Sequence, residues 1–273
     1  MSWLYGNTYF LPTSFIIWNE FPDMELVDLD RLTAWNATNY RRLRYQTDTK
    51  WNKGHLPAMF ASYRKWVGDG SQLEKFQSLM TDDPKKNYSI LFNEIKGNLH
   101  KFGRYATWFY LQTLRDCCGL NIEADSLVLE DYSGSKSHRN GLCYALNKEE
   151  WIDQGLDAEQ LKYLNGEAAK IVDEIRTRYN LDAEYFGMET CLCSFKKIFR
   201  KKQGRYLGYY LDRQAEEITK VSSDNWDGIN WKPLWDFRNE ELDPRLSSSK
   251  WIDNKRMEVF LDTGNMEYID WLK

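Results

Sequence analysis

The sequence predicts a mostly α-helical fold, and three observations support this. Apolar residues recur at intervals of three and four along most of the 273 residues. Helix start and stop signals flank several of those stretches. Only one short stretch, residues 126–132, has an extended pattern, so we expect at most a short β element there. No repeat or low-complexity linker divides the chain, so we predict one mostly helical domain over 1–273, with sub-lobes 1–120 and 121–273 as the alternative.

The helical elements are predicted in order along the chain. The N-terminal stretch is apolar, is broken by Pro12 and lacks a basic start, which indicates a buried leading segment and not a signal peptide. Helical periodicity predicts helices over 26–45, 55–67, 72–80, 84–97, 103–118, 161–179, 184–202 and 206–221, followed by an aromatic-rich segment at 226–237 that Pro233 interrupts. Apolar residues surround most of 103–118, and Gly119 follows it, so this helix should be central and buried.

Composition excludes several classes of protein. Hydrophobic residues make up 42% and charged residues 29%, and no apolar run approaches the length of a membrane span. Five Cys, with adjacent or near-adjacent pairs, argue against a disulfide framework and for a reducing cytoplasm. No Cys and His spacing resembles a structural zinc site.

Charge and aromatic content leave two interpretations open. The net charge of −4 argues against a uniformly basic nucleic-acid coat, but the cations are clustered at 41–65 and 196–205. Such clusters suit an anionic polymer, and solvated helix faces explain each of them about as well. Twelve Trp indicate either an aromatic-rich core or exposed rings that stack on bases.

Two polar segments in the first half could carry chemistry. Residues 96–104 (KGNLHKFGR) form a basic, glycine-containing turn that leads into the buried helix, where free backbone N–H groups favour phosphate. Residues 129–143 (LEDYSGSKSHRNGLC) would place Asp131, His138, Arg139 and Asn140 in one loop, combining acid, base and phosphate-binding groups. An ordinary glycine turn explains the first, and a Ser/Gly turn with a helix cap explains the second.

Two predicted helices carry the other candidates. In 189–197 (ETCLCSFKK), Glu189, Cys193 and Lys196 fall on neighbouring turns of one helix face, whereas small hydrophobic roles suit both Cys. In 204–217 (GRYLGYYLDRQAEE), tyrosines lie beside an Asp–Arg pair that could bind both charges of an amino acid, or simply stabilise the helix. No Walker loop, GxGxxG, nucleophile elbow or HExxH occurs.

Taken together, the blocks FGRYATWFYLQTL, DYSGSKSHRNGLCYAL, ETCLCSFKK, GYYLDRQAEEI and LWDFR resemble the bacteriophage amino acid:DNA transferases, also described as α-glutamyl/putrescinyl thymine pyrophosphorylases. The resemblance covers about residues 40 to 238. It implies a helical fold distantly similar to helix-hairpin-helix DNA glycosylases. It also implies a reaction in which an amine replaces the pyrophosphate of an activated 5-hydroxymethyluracil in double-stranded DNA, after a phage kinase has activated that base.

The resemblance also suggests roles for individual residues. Catalysis would fall to Asp131, Arg139, Asn140, Lys196 and Asp212. The substrates would be bound by Arg104, Ser135, His138, Glu189, Tyr210 and Arg213. DNA would be contacted by Arg42, Arg44, Lys101, Lys197, Arg200, Lys201 and Arg205. The leaving pyrophosphate would be stabilised by Arg104, Arg139 and Lys196 or Lys197. Asp131 or Asp212 would accept the amine proton, and Tyr209 or Tyr210 would stack on a flipped base.

The resemblance leaves the cofactor and two other functions open. We expect that the enzyme requires no cofactor, and Mg²⁺ bound to the pyrophosphate is the one possibility. We also expect the enzyme to act in the cytoplasm of the infected host. A base-excision glycosylase would also flip the target base out of the duplex, but it would release that base as a free molecule. A non-catalytic DNA-binding module would need only the basic segments.

Overall fold

The computed structural model describes residues 1–23, 26–46, 49–131, 136–198, 218–224, 226 and 228–241, without the side chains of 197, 198, 238, 239 and 241. The protein is mostly α-helical, and these residues contain no strand. The chain divides into two compact units, Met1–Lys196 and Lys197–Lys273. The predicted mostly helical class is therefore confirmed.

The first unit holds most of the described helices. In chain order they are α1 Ser2–Thr8, α2 Leu11–Glu20, α3 Leu29–Asn39, α4 Leu56–Val67, α5 Gln72–Leu79, α6 Pro84–Asn98, α7 Arg104–Cys118, α8 Ser137–Ala145, α9 Ala158–Tyr179 and α10 Tyr185–Ile198. Short 3₁₀ helices occupy Lys50–His55 and Glu149–Trp151. In the second unit, residues 218–222 are helical and a further helix spans Lys232–Glu241.

Helix α7 lies at the centre of the first unit, as predicted. α1 and α6 pack against it. A Cβ added at Gly6 would lie 2.7 Å from the Tyr110 Cβ, so only glycine allows α1 to approach α7 this closely. Trp3 of α1 packs against Tyr63 of α4, and their ring centroids lie 5.1 Å apart. Many of the abundant aromatic rings therefore form the core of this unit.

The start of α6 shows how the sequence sets a helix boundary. The Asp83 carboxylate accepts hydrogen bonds from the backbone N–H groups of Lys85 and Lys86, at 2.9 and 3.2 Å, and Pro84 occupies the first turn.

Asp83→Ala should therefore lower the free energy of unfolding by about 1 kcal/mol. Urea unfolding measures this loss, and Asp82→Ala, which removes a neighbouring exposed side chain, is the control. Equal losses in both variants would contradict the capping role.

Three segments differ from the sequence prediction. α3 is shorter than 26–45 because it starts at the Asp28 cap and the chain turns after Asn39. Residues 126–131 form a loop and not a strand, since Val128 has a left-handed φ of 52° and the Asp131 N–H closes a turn onto the Val128 carbonyl. Pro233 lies in the first turn of a helix, where proline is tolerated, and does not interrupt it.

Candidate active site

Three helices of the first unit bring Arg104, His138 and Glu189 together. Arg104 is the first residue of α7, His138 lies in the first turn of α8, and Glu189 lies in α10. α8 can approach α10 because residue 141 is glycine: a Cβ there would overlap the Leu192 carbonyl oxygen and lie 2.7 Å from its carbon. This close helix contact brings His138 and Glu189 to the same nitrogen of the Arg104 guanidinium, with His138 Nδ1 3.7 Å from Glu189 Oε1.

The three side chains form a buried polar cluster. One Arg104 nitrogen, Nη2, lies 3.2 Å from Glu189 Oε1 and 3.2 Å from His138 Nδ1. The Arg104 side chain is 0% exposed. Its Nε and Nη1 atoms have no hydrogen-bond partner among the described residues. A buried guanidinium thus retains two donor nitrogens for further acceptors, which is unusual because buried donors are normally paired.

His138 is neutral in this cluster. Burial first, and then the charges of Arg104 and Arg139, hold the pKa of His138 well below its ordinary value of 6.5. With Arg104 donating to Nδ1, the proton sits on Nε2, and a backbone hydrogen bond with Leu127 opposes part of the pKa shift. The Nδ1 lone pair is therefore occupied by Arg104, so His138 orients Arg104 and does not act as a free base.

The lowered pKa of His138 predicts a pH-dependent stability. The unfolded chain takes up a proton near pH 6.5 that the folded chain resists, so stability is complete above that pH and falls as the pH drops below it. We expect the free energy of unfolding to decrease by roughly 1 kcal/mol per pH unit between pH 6.5 and 5.5. His138→Asn keeps an acceptor near Nδ1 and should reduce this slope in urea unfolding. An unchanged slope in the variant would show that other groups cause the dependence.

An aromatic ring lies beside the Arg104 guanidinium. Its Cζ lies 5.6 Å from the Trp108 ring centre, and the Trp108 ring lies 4.9 Å from that of Phe186. The Trp108 indole N–H and the Tyr88 hydroxyl are buried and have no hydrogen-bond partner among the described residues. Burial raises the pKa of Tyr88 well above 10, which keeps its hydroxyl protonated. Neither residue is predicted as functional from the sequence, because both have the spacing of core aromatics.

Arg139 and Asn140 lie on α8 and not in a loop as predicted. They are buried and turn toward the segment after the second 3₁₀ helix: Arg139 Nη2 donates to the Gln154 carbonyl at 2.8 Å, and Asn140 Nδ2 donates to Asp153 Oδ1 at 2.7 Å. The backbone N–H of Asp153 returns a bond to Asn140 Oδ1 at 3.3 Å. These contacts favour a positioning role for both, and their proposed catalytic role stays a prediction.

Lys196 contacts the first residue of α8, and Asp131 is paired with Lys96 of α6. Lys196 Nζ is 3.4 Å from the hydroxyl of Ser137, the first residue of α8, and its charge contributes to the lowered pKa of His138. Asp131 accepts a hydrogen bond from Lys96 Nζ at 2.5 Å and is mostly buried. Lys196 therefore places a cation at the N-terminus of α8, where backbone N–H groups also favour an anion.

The other predicted residues either are exposed on the first unit or lie wholly or partly outside the described residues. Arg42, Arg44 and Lys101 are exposed on the first unit, as residues that contact DNA would be. The side chain of Lys197 is not described. Outside the described residues lie Ser135, Arg200, Lys201, Arg205, Tyr210, Asp212 and Arg213. Their proposed roles stay predictions.

Among the described residues, no three His, Cys, Asp or Glu side chains gather as metal ligands would. The same residues include no helix with the length and apolar character that crossing a bilayer requires. Mg²⁺ at the pyrophosphate stays a prediction.

Comparison with known proteins gives two matches. The family model described as amino acid:DNA transferase matches residues 3–203, which includes every member of the buried cluster. A serinyltransferase of Salmonella phage ViI is 26% identical over 293 aligned positions, which cover 97% of this chain and 70% of that protein. No solved structure matches the chain.

Proposed function

We propose that this chain, which belongs to the amino acid:DNA transferase family and is therefore a DNA-modifying transferase, joins an amino acid substrate to DNA. The amino acid would displace pyrophosphate from an activated thymine. In this reaction the C–O bond between the exocyclic methylene carbon of 5-hydroxymethyluracil and the pyrophosphate breaks. The amine nitrogen forms a C–N bond to the same carbon, pyrophosphate leaves with the electron pair, and the amine gives up a proton. A separate kinase would supply the activated base.

The buried Arg104–Glu189 pair carries this proposal. An α-amino acid presents a carboxylate and an ammonium a few ångströms apart, and the pair presents the opposite charges at a similar separation, 3.2 Å. The spare Nε and Nη1 donors of Arg104 suit the substrate carboxylate. Glu189 suits the ammonium, and the neutral His138 keeps the guanidinium in place without adding charge. The low-dielectric surroundings strengthen each of these interactions.

The N-terminus of α8 suits the leaving pyrophosphate. Lys196 lies against Ser137 there, so its ammonium group lies at a helix N-terminus, where the helix dipole also favours an anion. An enzyme for this step needs mainly to position the amine and to stabilise the leaving group, because pyrophosphate is already a good leaving group. Asp131 and Asp212 are the proposed acceptors of the amine proton.

The phage relative suggests which amino acid to test first. Its name, serinyltransferase, makes serine the first candidate here, although the two chains share only 26% identity. A small hydroxylated side chain places no further charge beside the Arg104–Glu189 pair. We therefore propose serine or another small, uncharged amino acid as the substrate.

Pyrophosphate release tests the proposed function. Duplex DNA carrying the pyrophosphate ester of 5-hydroxymethyluracil is incubated with the protein and serine, and a second duplex carries only 5-hydroxymethyluracil. We expect stoichiometric pyrophosphate from the first duplex and no reaction with the second. Transfer to the second duplex would contradict pyrophosphate displacement. Release of a free base from either would favour a glycosylase.

A further inference from the structure

We propose that a surface around the first 3₁₀ helix docks the DNA, with Trp51 contacting a base that has left the stack. This inference rests on the proposed function and adds to it the surface that binds the polymer. We call the surface the basic face, and it consists of Arg44, Lys50, Trp51, Lys53, His55, His100 and Lys101.

Contacts between chain segments hold the basic face together. The His55 and His100 rings lie 5.7 Å apart, which joins the 3₁₀ helix to the turn before α7. The backbone N–H of His100 donates to the Ser62 hydroxyl at 2.9 Å and so fixes that turn to α4. Burial first, and then the nearby charge of Arg44, lower the pKa of Lys53, so these two cations lie close together. The face is therefore one surface built from three segments.

The lysines of this face are available to phosphates. Lys50, Lys53 and Lys101 form no ion pair with any carboxylate that the structure describes. By contrast, Lys96, Lys170 and Lys232 are each paired with an acid. Cations that lack acidic partners and lie side by side match the repeating charge of a DNA backbone.

Trp51 distinguishes this face from an ordinary charged surface. Its side chain is 73% exposed, although Trp3 and Trp108 are almost completely buried. The Lys50 Nζ lies 4.8 Å from its ring centre, in a cation–π contact. A large exposed ring among cations is the arrangement with which proteins stack on unpaired bases.

The basic face also lies near the candidate active site along the chain. Lys101 precedes Arg104 by three residues, so the backbone between them spans at most roughly 10 Å. DNA held at Lys101 would thus be close to the start of α7, where the amino acid is proposed to bind. A base displaced from such DNA needs to travel only a short distance to the reacting amine.

DNA binding by variants tests this inference. The probe is a fluorescently labelled duplex of unmodified DNA with one mismatched thymine, compared with the fully paired duplex, and affinity is read by anisotropy over a range of salt concentrations. Trp51→Ala should weaken binding to the mismatched duplex about 10-fold and binding to the paired duplex less. Replacing Lys50 and Lys53 by Gln should reduce the slope of log affinity against log salt by about 2.

Two exposed residues elsewhere provide matched controls. Tyr179→Ala removes another exposed ring, and Lys162→Gln removes another exposed cation, both on α9. Variants of the basic face that behave like these controls would overturn the proposal, and so would an equal effect of Trp51→Ala on both duplexes. Neither amino acid nor pyrophosphate is present, so the outcome does not depend on the transfer reaction. If the variants show these binding effects but the protein releases no pyrophosphate in the transfer assay, only the proposed function is overturned.

Discussion

Arg104→Met is expected to lower the free energy of unfolding by about 3–5 kcal/mol and to abolish amino acid transfer. The Arg104 side chain is fully buried and pairs with Glu189. Removing the guanidinium leaves the carboxylate buried without its opposite charge, which costs several kcal/mol. It also removes the proposed contact with the substrate carboxylate. Urea unfolding measures the first effect, and pyrophosphate release measures the second.

A double variant separates stability from substrate binding. Arg104→Met combined with Glu189→Leu replaces the buried ion pair by apolar groups, a change that is often neutral or stabilising. We expect this variant to unfold within about 1 kcal/mol of the wild type and still to show no transfer. Restored transfer in the double variant would mean that the pair only supports the fold.

Gly141→Ala is expected to have the second large effect. The added methyl group would overlap the Leu192 carbonyl, and backbone on both sides leaves little room for adjustment. α8 must then move away from α10, which separates His138 from Glu189. We expect a loss of stability of about 1–3 kcal/mol and a strong loss of transfer activity.

Gly187→Ala is the matched control for that substitution. Gly187 lies in α10, and a Cβ there meets no atom within 4 Å. Alanine is the better helix former by about 1 kcal/mol, so this variant should be as stable as the wild type or more stable, with its activity retained. Similar behaviour of the two variants would contradict the role of the α8–α10 contact.

Local sequence patterns predicted most of the first unit's helices. α6 starts at Asp83–Pro84, and α7 ends at Gly119. Both boundaries follow from capping and backbone rules that act within one helix turn. The extended pattern at 126–132 failed because a strand needs a partner, and among the described residues this segment finds none. α8 was missed because its nine residues follow a hydroxyl-rich stretch typical of turns.

The candidate site was predicted in part. Arg104, His138 and Glu189 were each chosen as substrate-binding residues from separate polar segments. Their convergence was not predictable, because the contacts join residues 34 and 85 positions apart. The close approach at Gly141 also depends on a helix distant in sequence. Arg139 and Asn140, in contrast, turned out to bond to the 153–154 segment, a contact that no local pattern indicates.

Mass spectrometry of nucleosides tests the central claim most directly. The protein is incubated with duplex DNA carrying pyrophosphorylated 5-hydroxymethyluracil and an equimolar amino acid mixture that includes nitrogen-labelled serine, and the DNA is then digested to nucleosides. We predict a new thymidine derivative whose mass equals thymidine plus one amino acid less two hydrogens, with one pyrophosphate released per adduct. An unaltered nucleoside profile, with the DNA still bound by the protein, would contradict the proposed reaction.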